Sequence, residues 1–233
     1  MNKTREKIIY GALELFNQHG ERGITTNHIA AYVEVSPGNL YYYFRNKQEI
    51  VRAIFTLYSD ELLERFTPIK GHCEALPFLK HNLDSLFTLM WKYRFFYASL
   101  PETLSRDEQL HLEYIATQER LNKNLIEIMR VFVQLNFLKA NEDEIKETVT
   151  TLHLIASNWL TYCFSISPEA QITKPLIYQG MLQMIAVVKP LTTTQGLKQL
   201  VSLEGSIKVL SAREEPKEQS IHSPSPTAQQ ERE

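Results

Sequence analysis

Apolar and polar residues follow one another along most of this chain with the period of an α-helix. In residues 3–19 the apolar side chains recur three and four positions apart, which places them on one side of a helix. The members of this stripe are Ile8, Ile9, Ala12, Leu13, Leu15 and Phe16. Gly20 follows and suits the left-handed position that ends many helices. The pattern therefore predicts a first helix over residues 3–19.

Capping residues predict two short helices after this one. Thr25 or Thr26 can cap the second helix, and Ser36 can cap the third, with Pro37 in its first turn. The break between them, at Glu34 and Val35, is short. Three short helices with a tight turn between the second and third form a helix-turn-helix if the third is presented outward.

The rest of the chain also has helical periodicity. Asn46 can cap a fourth helix, with Glu49 three positions later as in a capping box, and the apolar positions continue to about Phe66. Longer helices are predicted near residues 77–92, 94–104, 107–137, 142–165, 175–189 and 194–211. No alternating strand pattern competes with them. The predicted fold class is all-α, with an N-terminal three-helix helix-turn-helix domain followed by a larger helical domain.

The predicted domain boundaries follow from these helices and from composition. The helix-turn-helix domain is placed at residues 1–46 and the larger helical domain at residues 47–211. Residues 212–233 are rich in polar residues and proline and contain one isoleucine. Such a segment cannot bury enough apolar surface to offset its ordering entropy, so a disordered tail is expected.

Three adjacent tyrosines stand in the third predicted helix. Neighbouring residues on a helix point about 100° apart, so Tyr41, Tyr42 and Tyr43 cannot all face one core. Leu40 and Phe44 share the inward face, which leaves Tyr42 on the outer side. A phenol ring can lie against sugars or thymine methyl groups, and its hydroxyl can reach phosphate oxygens. An aromatic core cluster is the competing interpretation, but the surrounding turn and caps favour contact with DNA.

Charge and composition restrict the class of protein further. Residues 1–55 contain seven basic and five acidic residues, which permits a local cationic surface but does not by itself indicate nucleic acid. The chain has 233 residues and no run of about 18 apolar residues, and no secretory signal is apparent. Its two cysteines, Cys73 and Cys163, suggest reduced thiols, so a cytoplasmic protein without a membrane partner is expected. No phosphate loop, nucleophile elbow or paired catalytic carboxylates are evident, so no enzyme, cofactor or metal site is predicted.

A longer segment carries a family resemblance. The sequence "TTNHIAAYVEVSPGNLYYYFRNKQEIVRAIF" resembles the DNA-binding domain of the TetR/AcrR transcriptional regulators, with matching features from about Lys3 to Tyr58. The resemblance implies a DNA surface made of Thr26, Ser36, Pro37, Gly38, Asn39, Tyr41, Tyr42, Tyr43 and Lys47. Residues 60–211 match only in size and helicity, and in this family that half sets the ligand and the dimer.

Three residues depart from the family pattern. Glu34 stands where glycine is usual, and it costs of order 1 kcal/mol if the turn needs a positive φ. Pro37 stands where lysine is common, which removes a cation and shifts sequence preference. Tyr43 stands where histidine is common, and it keeps a donor for phosphate.

The larger half is rich in aromatic residues, which suggests either a ligand cavity or an ordinary bundle core. The candidate ligand-binding residues are Trp91, Phe95, Phe96, Trp159, Tyr162 and Phe164. His153 and Asn158 could orient a ligand or be satisfied core or surface residues. Residues 148–164 and 175–190 are apolar on more than one face and contain small residues, so they are the predicted dimer seam.

The sequence thus predicts a ligand-responsive repressor that binds a palindromic double-stranded operator as a homodimer and responds to a small-molecule effector. The fourth helix, which connects the predicted DNA surface to the ligand half, is the expected lever of a population shift. A transcriptional activator or a ligand-independent regulator is the alternative within the class. A helical small-molecule-binding protein that has lost DNA binding is the alternative from another class.

Overall fold

The fold is built from helices throughout the described part of the chain. A computed structural model describes residues 3–69, 73–167 and 171–213. Within these ranges the α-helices are α1 (Lys3–His19), α2 (Thr26–Tyr32), α3 (Pro37–Tyr43), α4 (Lys47–Arg65), α5 (Ala75–Lys92), α6 (Arg94–Ser105), α7 (Glu108–Gln134), α8 (Glu142–Ile166), α9 (Lys174–Val188) and α10 (Thr194–Ser211). A short 3₁₀ turn at Lys189–Leu191 separates the last two. The described residues form no β-strand, which confirms the all-α prediction.

Side-chain caps begin the short helices. Thr25, rather than Thr26, caps α2, because its hydroxyl accepts the His28 backbone N–H at 3.3 Å. Asn46 caps α4 by accepting the Glu49 backbone N–H at 2.9 Å. The Glu49 carboxylate in turn accepts the backbone N–H of Arg45, one residue earlier than in the predicted capping box. These bonds satisfy N–H groups that a helix terminus leaves without partners.

The end of α7 differs from the predicted boundary at residue 137. Its last residue is Gln134, and Asn136 adopts a left-handed backbone with φ 53°. The N–H groups of Phe137 and Leu138 then both donate to the Phe132 carbonyl, at 3.0 and 3.1 Å. Asparagine tolerates this conformation, so the chain turns back and buries Phe137 and Leu138.

Helix α4 connects the N-terminal helices to the larger bundle. It packs on α1 on one side and on α5 and α7 on the other. Its first half buries Ile50 and Ile54, and its second half buries Tyr58 and Leu62. One apolar cluster therefore runs from α1 through α4 into the bundle.

An asparagine side chain makes a second connection between the halves. The Asn17 amide donates to the Lys92 carbonyl at 2.8 Å and accepts the Phe95 N–H at 3.1 Å. It thereby joins the end of α1 to the corner between α5 and α6.

Two predictions about the chain's organisation stay untested. Residues 214–233, nearly all of the expected disordered tail, lie outside the described residues. The domain boundary at residue 46 also remains a prediction. No helix in the described ranges is long and apolar enough to cross a membrane.

Candidate functional site

The turn between α2 and α3 holds the third helix in a defined orientation. Glu34 has φ 54°, and its N–H donates to the Ala31 carbonyl at 3.2 Å. The N–H of Val35 donates to the Ala30 carbonyl at 2.9 Å, which completes a Schellman motif. The turn therefore does need a positive φ at the position where Glu34 replaces a glycine.

Close packing of α1 supports this turn. A Cβ atom on Gly11 would lie 2.2 Å from Val33 Cγ1, so only glycine allows α1 to approach the end of α2 this closely. Val33 is buried in the gap that results. Helix α3 is thus held by a hydrogen-bonded turn on one side and by an apolar contact on the other.

The outer face of α3 is open to solvent. Leu40 and Phe44 are buried, whereas Tyr42 is 80% exposed and Tyr41 48% exposed. The rings of Tyr42 and Tyr43 meet edge to face, with centroids 5.0 Å apart, and this contact orients the outward ring. The other exposed residues of this surface are Ser36, Pro37, Gly38 and Asn39. A Cβ on Gly38 would meet nothing within 4 Å, so a partner molecule could approach the backbone closely.

The remaining members of the predicted surface are tied into the fold. The Thr26 hydroxyl lies 2.9 Å from the Tyr41 hydroxyl, which joins the start of α2 to α3. The Lys47 ammonium donates to the carbonyls of Glu21 and Ile24, at 2.9 and 3.1 Å, and lies 2.7 Å from the Glu21 carboxylate. Lys47 thus braces the α1–α2 loop, and contact with DNA stays a prediction for it.

Two arginines that sequence reasoning did not single out flank α3. The Arg5 guanidinium lies over the Phe44 ring, 5.1 Å from its centroid. Arg45 follows α3 directly and is exposed. Their only signal in the sequence was the small surplus of basic residues in the first 55 positions.

Ion pairs link this N-terminal unit to the corner between α6 and α7. Glu21 lies within 3.6 Å of Arg106, in addition to its contact with Lys47. Glu102, near the end of α6, contacts both Arg22 and Arg106. This charged cluster connects the loop before the helix-turn-helix to a helix of the larger half.

A second ion pair fastens α4 to the start of α7. Arg52 Nε lies 2.6 Å from the Asp107 carboxylate, which also caps α7 by accepting the Leu110 N–H. Burial alone would raise the pKa of Asp107, but the hydrogen bonds and charge of Arg52, together with the backbone donors, outweigh it and lower that pKa. The carboxylate is therefore ionised throughout the neutral range.

The larger half encloses a cavity of about 160 Å³. Its wall is contributed by α4 to α10, and most of the lining side chains are aliphatic or aromatic. The polar groups among them are Tyr58, Asn82, Tyr97, Tyr114, Gln118, His153 and Ser157. The aromatic-rich half therefore contains both a packed core and a cavity.

The six aromatic residues proposed from sequence are largely not in this wall. Only Phe96 lines the cavity. Phe95 instead packs on Phe16 with ring centroids 5.3 Å apart, and the Trp159 indole donates to the Leu176 carbonyl at 2.8 Å. The others lie elsewhere: Trp91 beneath the guanidinium of Arg94, Tyr162 largely exposed, and Phe164 half-buried. Of the two polar candidates, His153 lines the cavity, whereas Asn158 is exposed and bonds to its own helix.

Burial keeps the polar groups of the cavity uncharged. The hydroxyls of Tyr58 and Tyr97 lie 3.0 Å apart, and burial raises both pKa values, that of Tyr97 to about 12. Burial also lowers the pKa of His153, because a desolvated imidazolium is disfavoured. The cavity therefore presents neutral hydrogen-bonding groups at neutral pH.

Among the small residues of the predicted dimer helices, Gly180 is used for packing within one chain, and the seam itself stays a prediction. A Cβ on Gly180 would lie 2.6 Å from Trp159 Cδ1, so this glycine lets α9 pack on α8. Large apolar side chains are exposed instead on α8 and α10, which both pack on α9. These residues are Leu154, Tyr162 and Ile166 on α8 and Leu197, Val201 and Val209 on α10. We call them the outer apolar stripes.

Together, these features define a class of protein: an N-terminal helix-turn-helix unit joined through α4 to a helical bundle with an internal cavity. Two family models match the chain, "Bacterial regulatory proteins, tetR family" over residues 8–54 and "Bacterial transcriptional repressor" over residues 57–200. The chain therefore belongs to the TetR family of bacterial transcriptional regulators.

Individual relatives agree with this assignment. The crystal structure of a TetR-family transcriptional regulator from Marinobacter aquaeolei VT8 resembles this one, with a TM-score of 0.79 and 30% sequence identity. The match covers 88% of this chain and 99% of the Marinobacter chain. The negative transcriptional regulator IcaR of the Staphylococcus epidermidis biofilm operon is 29% identical over 48% of this chain. That match spans 63% of IcaR, so the chain covers less than two thirds of this curated relative. The structure of a SmeT–triclosan complex shares the fold at 19% identity, with a TM-score of 0.54 over 83% of this chain and 93% of SmeT.

Proposed function

We propose that this chain is a cytoplasmic, non-enzymatic transcriptional repressor that binds a palindromic operator as a homodimer and releases it when a small molecule occupies the cavity. The outward face of α3 carries this proposal. An aromatic side chain that is 80% exposed, on a short helix fixed by a hydrogen-bonded turn, is suited to dock on a rigid partner. A repressing role is supported by family membership and by IcaR, which is a negative regulator.

Helix α3 enters the major groove in this proposal. Gly38 and Asn39, at its start, face the base edges, while Tyr42 lies against the sugar–phosphate backbone. Ser36 and Thr26 contribute hydroxyls to phosphates. The flanking cations Arg5 and Arg45 supply charge that the local sequence of α3 lacks.

Lys47 has a different role in this arrangement. Because its ammonium already bonds to the α1–α2 loop, it sets the position of the α4 terminus. The positive end of the α4 dipole then faces a phosphate.

Dimerisation is proposed to use the outer apolar stripes. Single apolar residues are common on protein surfaces, but repeated ones along two helices that both pack on α9 indicate a partner. Gly205 lies between Val201 and Val209 on α10, and a Cβ there would meet nothing within 4 Å. A glycine in mid-helix is unfavourable for the isolated chain, so its benefit is expected at a close helix crossing between protomers. The dimer places two α3 helices about 34–36 Å apart, or a multiple of that.

The effector acts by shifting a population. The cavity wall includes Tyr58 and Leu62 of α4 and Tyr97 and Leu100 of α6. Occupation favours one placement of these helices, and α4 carries the change to the helix-turn-helix. The shift is limited by the ligand's differential affinity for the two states. SmeT, which shares this fold, has been solved as a complex with triclosan, which supports a small-molecule effector for this chain.

The test of DNA binding starts with selection of genomic fragments by the purified full-length protein at low salt. Fluorescence anisotropy on the selected duplex then compares wild type with Tyr42→Ala and Tyr10→Ala. Tyr42→Ala is expected to weaken binding by roughly ten- to a hundredfold, because it removes a contact from each half-site. Tyr10, on α1, is 49% exposed and is the matched control that leaves affinity unchanged.

Two outcomes would contradict the proposal. One is the failure of any fragment to be enriched at low salt. The other is an equal loss of affinity in the two tyrosine variants, which would trace the effect to stability rather than to contact.

The dimer proposal is tested separately by sedimentation. Val201→Asp places a charge in the α10 stripe and is expected to shift the protein from dimer to monomer, since an unpaired charge is costly to bury. Val201→Thr keeps the shape and is expected to remain dimeric. Operator affinity should fall with the dimer fraction, and an unchanged sedimentation coefficient in Val201→Asp would place the interface elsewhere.

A further inference from the structure

The cavity is long and narrow, and most of its polar side chains lie towards one end. The α7 residues in its wall run from Tyr114 to Phe132, a rise of about 27 Å along the helix axis. Because the cavity volume is only about 160 Å³, its cross-section is small. A slender, extended ligand suits this shape better than a compact, bulky one.

The position of α8 shows which end is polar. Arg130, near the end of α7, contacts Glu142, at the start of α8, at 2.6 Å, so the two helices run antiparallel. His153 and Ser157, further along α8, therefore lie level with the first half of α7, where Tyr114 and Gln118 stand. The opposite end is walled mainly by apolar side chains, among them Phe132, Phe137 and Leu138. The polar side chain there is Asn82, one turn from Phe78, whose ring stacks on Phe132, and the Asn82 amide donates to the Phe78 carbonyl at 2.8 Å.

One polar atom at the polar end is unsatisfied. Gln118 Oε1 is buried and has no hydrogen-bond partner among the residues that the structure describes. Most buried polar atoms in proteins are paired, and an unpaired acceptor is costly. The neighbouring Ser157 hydroxyl donates its hydrogen bond to the His153 carbonyl. An acceptor left open inside a ligand-sized cavity indicates a donor on the ligand.

Charge restricts the ligand further. None of the described side chains in the cavity wall is acidic or basic apart from His153, and burial keeps that imidazole neutral. A carboxylate or ammonium group on the ligand would be desolvated without a counter-charge, which is strongly unfavourable.

We propose that the cavity binds a slender, uncharged amphiphile, whose single hydroxyl or N–H donates a hydrogen bond to Gln118 Oε1 and whose hydrocarbon tail extends along α7 towards Phe132. The inference deepens the proposed function, because its regulatory meaning rests on the effector acting through this cavity. The binding event itself requires no DNA.

Three small probes of matched size test the chemistry by isothermal titration calorimetry with the full-length protein. They are 1-octanol, heptyl methyl ether and octanoate. The alcohol is expected to bind most tightly. The ether, which has an oxygen but no donor, should bind roughly three- to tenfold more weakly, as expected for one lost hydrogen bond. Octanoate should bind at least as weakly as the ether, because its charge has no partner.

Two variants of α7 assign the effect to one side chain. Gln118→Leu is expected to lower the affinity for 1-octanol to that for the ether, with little change for the ether itself. Gln134→Leu, an exposed position on the same helix, is the matched control and should keep the wild-type order of affinities. The wild-type probe series needs neither variant, so the proposal stays testable if Gln118→Leu folds poorly.

The outcomes separate this inference from the proposed function. It is overturned if 1-octanol does not bind, if the ether binds as tightly as the alcohol, if octanoate binds most tightly, or if Gln118→Leu retains the preference for the alcohol. Operator binding is measured independently by anisotropy. Gln118-dependent binding of 1-octanol without any selected DNA would leave the inference standing and refute the proposed function. Selection of an operator without Gln118-dependent binding of 1-octanol would refute the inference alone.

Discussion

The candidate DNA surface and the cavity are assembled in opposite ways. The surface lies within residues 26–47 and consists of one short helix with its flanking turn and caps. The cavity wall takes side chains from seven helices between Tyr58 and Leu200. The surface is therefore determined by local geometry, whereas the cavity depends on how distant segments pack.

Tyrosine illustrates the difference. On α3, Tyr42 must face outward because Leu40 and Phe44 occupy the inward face of the same two turns. In the bundle, Tyr58 and Tyr97 come from different helices and are buried with their hydroxyls 3.0 Å apart. The same residue type is thus an exposed group in one region and part of a buried wall in the other. The environment of each tyrosine is set by its neighbours in space. Around α3 these neighbours are also close in sequence, whereas in the bundle they are not.

The largest predicted effect is the loss of stability when a buried leucine is truncated, and it should differ between the two regions. Leu40, on α3, is fully buried, and Leu40→Ala is expected to destabilise the protein by about 3–5 kcal/mol through lost burial and a new cavity. Leu121, which lines the existing cavity, is 8% exposed, and Leu121→Ala should cost only about 2–3 kcal/mol, because its side chain has fewer neighbours to lose. Urea unfolding of both variants measures the difference.

A matched binding measurement sharpens this contrast. Leu121→Ala should retain operator binding and accept a bulkier alcohol in the cavity, whereas Leu40→Ala should lose operator binding. If the two substitutions cost the same free energy of unfolding, the cavity is packed more tightly than its 160 Å³ indicates.

The N-terminal unit could be predicted from sequence almost to the residue. The caps Ser36 and Asn46, the glycine end of α1 and the outward Tyr42 all depend on spacing within a few positions. The prediction was incomplete where a long side chain has a choice of partners. Lys47 bonds to the α1–α2 loop, more than twenty positions earlier, and spacing along one helix does not reveal such a contact.

The cavity could not be predicted in the same way. Aromatic residues attracted notice because of their type, yet Phe96 lines the cavity and its neighbour Phe95 packs on α1. Which of two adjacent rings faces a cavity depends on the orientation of the whole helix. The aliphatic side chains that form most of the wall look like ordinary core residues in the sequence. The end of α7 was also predicted too late, because Asn136 takes a left-handed conformation that ends the helix.

A smaller effect is predicted at the ion pair that joins the two regions. Asp107 both caps α7 and pairs with Arg52 at 2.6 Å. Asp107→Ala is expected to cost about 1–2 kcal/mol, since the Arg52 side chain is one-third exposed and solvent screens the pair. Asp107→Asn keeps a cap and should cost roughly half of that. Urea unfolding at pH 7 measures both.

The pH dependence identifies the ionic part of this effect. The pKa of Asp107 is lowered in the folded protein, so its ionic stabilisation is present above the unfolded value of about 3.9 and is lost as the pH falls through the folded pKa. The difference in stability between wild type and Asp107→Asn should therefore be constant near neutral pH and shrink below about pH 4. A difference that stays the same down to pH 3 would show that the pair contributes no ionic stabilisation.

The smallest predicted effect concerns the left-handed backbone conformation that ends a helix in each region. Glu34 ends α2 and Asn136 follows α7, with left-handed φ values of 54° and 53°. Glycine adopts this conformation without strain, and asparagine tolerates it better than glutamate does. Glu34→Gly is therefore expected to stabilise the protein by up to about 1 kcal/mol, and Asn136→Gly by only a few tenths, as measured by thermal unfolding. Because Glu34 is exposed and precedes α3, its replacement should leave operator affinity unchanged. If Glu34→Gly instead weakens operator binding without loss of stability, then the stiffness of that residue helps to hold α3 in place, and the strain at the turn serves the DNA surface rather than being tolerated by it.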